Sequence, residues 1–183
     1  MTNLNEWYET GISKEEYMSE LDTHKESFEH IYRNFEVPEA DIATLQQHDG
    51  VRALVLAEVW CGHCMLDIPI FLNMTEKANI PVTFFRRDDN LELMDQYLTN
   101  EKRIIPIIIF IDKNGNELAT WGPVAPKVGQ IADEYKKDIP AKDDPAYEDA
   151  FKQFAATVTK LFTEDETIWQ AVYEDIKETL ITM

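Results

Sequence analysis

The chain has few cysteines, few cations and no long hydrophobic run. Its 183 residues include two cysteines, and 17 Lys and Arg stand against 35 Asp and Glu, a formal net charge of −18. So acidic a surface repels nucleic acid, whose binding rests on neutralising phosphates with Lys and Arg. It also repels an anionic membrane surface. Neither nucleic acid nor a membrane is an expected partner. The longest apolar run, IIPIIIFI at 104–111, is far too short to span a bilayer. The opening stretch MTNLNEWYETGISKEE has no basic segment followed by an apolar one, so no secretory signal is expected in it. The expectation is a cytoplasmic location. In a reducing compartment a cysteine pair does not persist as a structural staple, which turns attention to its chemistry. There is no internal repeat and no low-complexity tract.

What is present is core-forming material: 44% of residues are hydrophobic and 11% aromatic, enough for a packed domain rather than a disordered chain. The pattern divides into three parts, 1–49, 50–138 and 139–183. In the first, Ser13 followed by Glu16 makes a capping-box start. Tyr17, Leu21, Phe28, Ile31, Tyr32 and Phe35 then recur at helical spacing, and Val37-Pro38 ends that helix. A short helix over 39–48 follows. In the second part ALVLAEVW, 53–60, reads as a buried strand. A helix passes through Met65, Ile68, Leu72 and Met74, a second strand covers 81–87 and a short helix 89–98. Residues 105–121 read as a hairpin turning at Asn114-Gly115, and a helix over 124–137 closes the unit. Strand, helix, strand, helix, strand, strand, helix implies an α/β fold with a mixed sheet flanked by helices. After a linker at 139–146, two helical stripes follow. One is Tyr147, Phe151, Phe154, Val158, Leu161 and Phe162; the other is Ile168, Val172, Ile176 and Leu180. They pack into the core or form a homodimer interface.

Both cysteines lie in WCGHC, as Cys61 and Cys64, where the buried strand ends and a helix begins. The first turn of a helix presents unpaired N–H groups and the positive end of the dipole. Both favour an anion, so a cysteine there carries more thiolate at neutral pH, and the thiolate is the nucleophile of disulfide exchange. The two-residue spacing lets both sulfurs meet across one helical turn. His63 titrates near neutral pH in its ordinary state. Charged, it would favour the thiolate and raise the reduction potential. Trp60 offers a flat apolar surface beside the pair. Half of a zinc site is the competing reading, but structural zinc needs four ligands. The chain has no second CxxC or HxxxH, and His24, His30 and His48 are scattered, so no metal is expected. Inert buried thiols are the other bland reading. Arg86 and Arg87 read as solvated strand-end charges, a place for Arg86 near the active face being the sharper alternative.

Trp60-Cys61-Gly62-His63-Cys64, Pro69 five residues after the second cysteine, and Ile105-Pro106 near the start of the hairpin resemble the thioredoxin superfamily. The NGNE turn at 114–117 and Gly122 fit the same scheme, and the likeness covers roughly 50–138. The Gly-His pair is more similar to protein disulfide isomerase sites than to ordinary thioredoxins. The resemblance implies a thioredoxin-like fold with N- and C-terminal helical extensions. It implies thiol-disulfide oxidoreductase activity with no cofactor beyond a redox-active Cys61–Cys64 disulfide, Cys61 attacking and Cys64 resolving. Pro106 would lie against the sulfurs, and Ile105, Gly62, Trp60 and Gly122 would meet the substrate. The implied partners are disulfide-bearing client proteins and an electron donor, either a thioredoxin-reductase-like protein or a low-molecular-weight thiol. The family carries a buried aspartate six residues before the first cysteine. Val55 stands there in this chain, so either Glu58, the nearby acid, replaces it or the site has no dedicated base and exchanges more slowly. The alternative is a thioredoxin-fold module that grips a client in a redox-dependent way without efficient turnover.

Overall fold

In the computed structural model, which describes residues 3–183, the apolar run at 53–57 forms an inner strand of a mixed sheet. Strands β1 (Arg52–Ala57), β2 (Val82–Arg86), β3 (Ile107–Ile111) and β4 (Glu117–Trp121) lie in the order β2-β1-β3-β4. β1 runs parallel to β2, with Val55 opposite Phe84, and antiparallel to β3, with Leu56 opposite Ile107. Residues 53–57 are fully buried, as expected of a strand covered on both faces. β1 stops three residues short of the expected end at Trp60. The next residue on β3 would be Pro106, which has no N–H to continue the ladder.

Nine helices surround the sheet among the described residues: α1 (Leu4–Tyr8), α2 (Lys14–Ser19), α3 (Lys25–Asn34), α4 (Glu39–Leu45), α5 (Gly62–Ala78), α6 (Leu91–Met94), α7 (Pro126–Lys136), α8 (Tyr147–Glu164) and α9 (Glu166–Thr182). The long helix expected to start at Ser13 is two helices. Its start is as read, with the Ser13 hydroxyl accepting the Glu16 N–H at 3.1 Å. It ends at Ser19 because its two halves pack on different surfaces. Tyr17 of α2 stacks on Phe84 of β2 at 4.6 Å, whereas α3 lies on α5. Asp22 and Thr23, both poor helix formers, occupy the break. Just before α2, Ile12 and Phe84 exchange backbone hydrogen bonds of 2.9 Å, which covers part of the free edge of β2. The helix expected at 89–98 shrinks to α6, behind a tight turn at Arg87–Asp89.

The hairpin turns where expected. Gly115 has φ +83°, a conformation that strains a residue with a Cβ. The Asp112 carboxylate ties the loop by accepting the N–H groups of Asn114 and Asn116. The later part of the α8 stripe and the whole α9 stripe join the core: Val158, Phe162, Ile168, Val172, Ile176 and Leu180 are buried. Trp169 Nε1 donates to the Phe162 carbonyl at 2.7 Å, and Tyr173 donates to Asp41 at 2.7 Å. At the start of α8, Tyr147 stacks on Phe151, which stays exposed, and Phe154 beside it packs against the core only in part.

Candidate active site

Cys61 is the N-cap of α5. Its backbone is extended, and its Sγ accepts the Cys64 N–H at 3.3 Å. This is the place a Ser or Asp side chain takes at a helix start, satisfying one of the orphan donors of the first turn. The Cys61 thiol is lowered from the ordinary cysteine value. The largest cause is the Cys64 thiol, which donates to its sulfur. The backbone N–H groups of Cys64 and His63 and the charge of Arg87 add to the effect, while burial opposes it. Cys64 is fully buried, and burial, with the neighbouring Cys61, pushes its thiol far up. Identical side chains are thus made unequal: one sulfur is poised to ionise, the other holds its proton. Both thiols are free.

The resemblance-based residues gather around this pair to different degrees. Ile105-Pro106 is a cis peptide, and the Ile105 carbonyl accepts the Cys61 thiol at 3.7 Å, so this segment faces the reactive sulfur. Gly122, with φ +116°, lies against Pro106 and not at the sulfurs. A Cβ there would overlap the Pro106 carbonyl oxygen, so glycine lets the end of β4 approach the cis segment. Gly62 has open space around it. Trp60 is 52% exposed, and the Arg87 guanidinium lies 4.9 Å from its ring centre. Pro69 sits inside α5, where it cannot donate to the Met65 carbonyl.

Two expectations are corrected, and one alternative is set aside. His63 does not bring a positive charge to the site. Its ring packs on Phe162 at 5.4 Å and Nδ1 has no hydrogen-bond partner. Burial, then the charge of Lys136, pushes its pKa below 6.5, so at neutral pH the imidazole is uncharged. Glu58 does not turn to the sulfurs. Its carboxylate accepts the Asp88 N–H at 2.9 Å, and burial raises its pKa. Arg86 does not reach the active face: it pairs with Glu16 of α2 and with Glu20 just past its end. The cation beside Cys61 is Arg87, the next residue.

The structure also adds a group the sequence reading did not single out. Asp67 of α5 is fully buried, and neither carboxylate oxygen has a hydrogen-bond partner. Burial first, then the charges of Cys61 and Asp175, pushes its pKa far above the usual carboxylate range. A signal was available, because Asp67 is the one acidic side chain between Gly62 and Thr75.

A family model described as thioredoxin matches residues 11–136. That match begins in the N-terminal helical segment, well before residue 50. The chain is similar in fold to a crystal structure of a protein of unknown function from Pseudomonas aeruginosa, with TM-score 0.62 and 21% identity, covering 87% of this chain and 99% of that one. It is also similar to an HIV epitope-scaffold, with TM-score 0.59 and 16% identity, covering 94% and 99%. No curated protein matches it. No helix among the described residues is long and apolar enough to cross a membrane.

Proposed function

The chain belongs to the thioredoxin family, and we propose that it is a thiol-disulfide oxidoreductase acting on client proteins through Cys61 and Cys64. The observation that carries this reading is the inequality of the two sulfurs, one capping a helix and the other buried behind it. In the proposed cycle the Cys61 thiolate attacks one sulfur of a client disulfide. A Cys61–client bond forms, and the other client sulfur leaves as a thiolate that takes a proton from solvent. Cys64 loses its proton and attacks Cys61 Sγ. The Cys61–Cys64 bond forms, the Cys61–client bond breaks, and the client has gained two electrons. A reductase or a low-molecular-weight thiol then returns the pair to the dithiol.

Ionisation of Cys61 also changes the surface beside it. The Ile105 carbonyl accepts the Cys61 thiol in the neutral state; a thiolate has no proton to donate, so that acceptor becomes free for an extended client backbone. Trp60 supplies an apolar face next to it. Reduction of insulin by a thiol reductant tests the reading. Turnover by the wild type, none by Cys61→Ser, and a trapped mixed disulfide in Cys64→Ser support it. The exposed Trp60 face also favours a second reading, a module that grips clients in a redox-dependent way. Redox-dependent client binding without insulin turnover selects it.

A further inference from the structure

We infer that Asp67 is the group that exchanges a proton with Cys64 when the second cysteine resolves the mixed disulfide. This rests on the oxidoreductase reading above. Two observations carry it. The first is placement. Asp67 follows Cys64 by three residues on α5, which puts the two on one helix face with Cβ atoms about 5–6 Å apart. Helical side chains lean toward the N-terminus, so the Asp67 carboxyl leans back toward the Cys64 turn. The second is its isolation. Both residues are fully buried, and both Asp67 oxygens lack a partner. A buried polar group with no hydrogen bond costs stability that an apolar residue of similar size avoids.

The surrounding charges make the carboxyl responsive to the state of the cysteines. On its own helix the groups that face it are Cys61 and Cys64, and on α9 it is Asp175. Tyr32 of α3 and Asp41 of α4, on the other helices packed against α5, are engaged elsewhere. Tyr32 bonds Glu76, and Asp41 accepts from Tyr173 and Lys177. In the resting dithiol, burial holds the Asp67 proton in place, and ionised Cys61 strengthens that hold. Attack on a client converts that thiolate to a neutral mixed disulfide, and the charge that held the proton disappears. Burial and Asp175 still raise the carboxyl, but with that charge gone Asp67 ionises more readily, its proton going to solvent. The resulting carboxylate takes the proton of Cys64. The Cys64 thiolate attacks Cys61 Sγ, and the departing client thiolate takes a proton from Asp67 or solvent. Protons and electrons balance without a further reactant. The acid therefore reaches the resolving cysteine from the helix that carries it, not from the strand position that Val55 occupies.

The test uses 5,5′-dithiobis(2-nitrobenzoate) as the disulfide, because each step releases one coloured thiolate. The full-length wild type gives a second-order release as Cys61 attacks, then a first-order release as Cys64 resolves. In Asp67→Asn the second-order release stays within about threefold, while the first-order release slows about a hundredfold, the usual worth of a positioned acid or base. Its residual rate then rises with hydroxide concentration. A first-order release in Asp67→Asn that matches the wild type in rate and pH profile overturns the inference. The intact second-order phase reports that the variant is folded. Should it not fold, the wild-type profile decides: a first-order rate that levels off above a carboxyl ionisation supports the inference, and one proportional to hydroxide throughout overturns it. Absence of a first-order release in the wild type is a different failure, that of the oxidoreductase reading itself.

Discussion

The backbone N–H of Cys64 donates to the sulfur of Cys61 at 3.3 Å, so the resolving residue helps to ionise the attacking one. The stabilisation comes from the first turn of α5 and from the Cys64 thiol. It follows that Cys61 reacts first with any electrophile. Iodoacetamide should label Cys61 with a midpoint below the ordinary cysteine pKa of about 8.5. Cys64 should stay unlabelled in the folded protein. Mass spectrometry after a pH series checks both, and equal labelling of the two thiols refutes the asymmetry.

His63 is neutral at working pH because burial disfavours its charged form. Its imidazole resonances should titrate below pH 6.5, and the Cys61 labelling profile should show no step as His63 loses its proton. Phe162→Ala removes the ring that covers it and should move the His63 midpoint back toward the ordinary value. The same substitution empties a core position and should cost about 3–5 kcal/mol.

Arg87, and not Arg86, supplies the nearby positive charge. Arg87→Gln should raise the Cys61 midpoint, a difference that shrinks at high salt as screening takes over. Arg86→Gln should leave that midpoint unchanged, because its guanidinium is held by Glu20 and Glu16.

Asp67 has a raised carboxyl in the folded chain, so between the unfolded and folded pKa values the native state binds the extra proton. Stability from this group is present below the unfolded Asp pKa of about 3.9 and is lost as pH rises toward the folded value. Asp67→Asn removes that loss. The stability of the variant relative to wild type should therefore grow with pH from about 4 upward, by at most about 1.4 kcal/mol per unit. Denaturant midpoints across pH measure it, and a constant difference contradicts a raised carboxyl.

Much of this architecture was legible in the sequence, for physical reasons. The run at 53–57 is continuously apolar, so it had to be a covered strand, and Asn114-Gly115 marked the hairpin because few residues accept its backbone. WCGHC with Pro69 and a spaced Ile-Pro identified the site. What escaped depended on packing between distant segments. The break between α2 and α3 exists because Tyr17 meets Phe84 while α3 meets α5. His63 reads as a titrating surface residue until Phe162, ninety-nine residues later, is seen to cover it. Glu58 and Arg86 stand near the cysteines in sequence but turn to Asp88 and Glu20. Asp67 carried a visible signal, one acid in an otherwise uncharged helix stretch, but its isolation is a property of the folded interior.

One number weighs heaviest on the proposed chemistry: the reduction potential of the Cys61–Cys64 pair, from equilibration in defined thiol buffers with alkylation trapping. Stabilising the Cys61 thiolate stabilises the reduced form, so the pair should be more oxidising than an ordinary thioredoxin. A reversible two-electron couple between about −270 and −180 mV is the expected result. A pair that never closes, or one that sits at or below about −270 mV, means that the first turn of α5 does not tune these sulfurs as described.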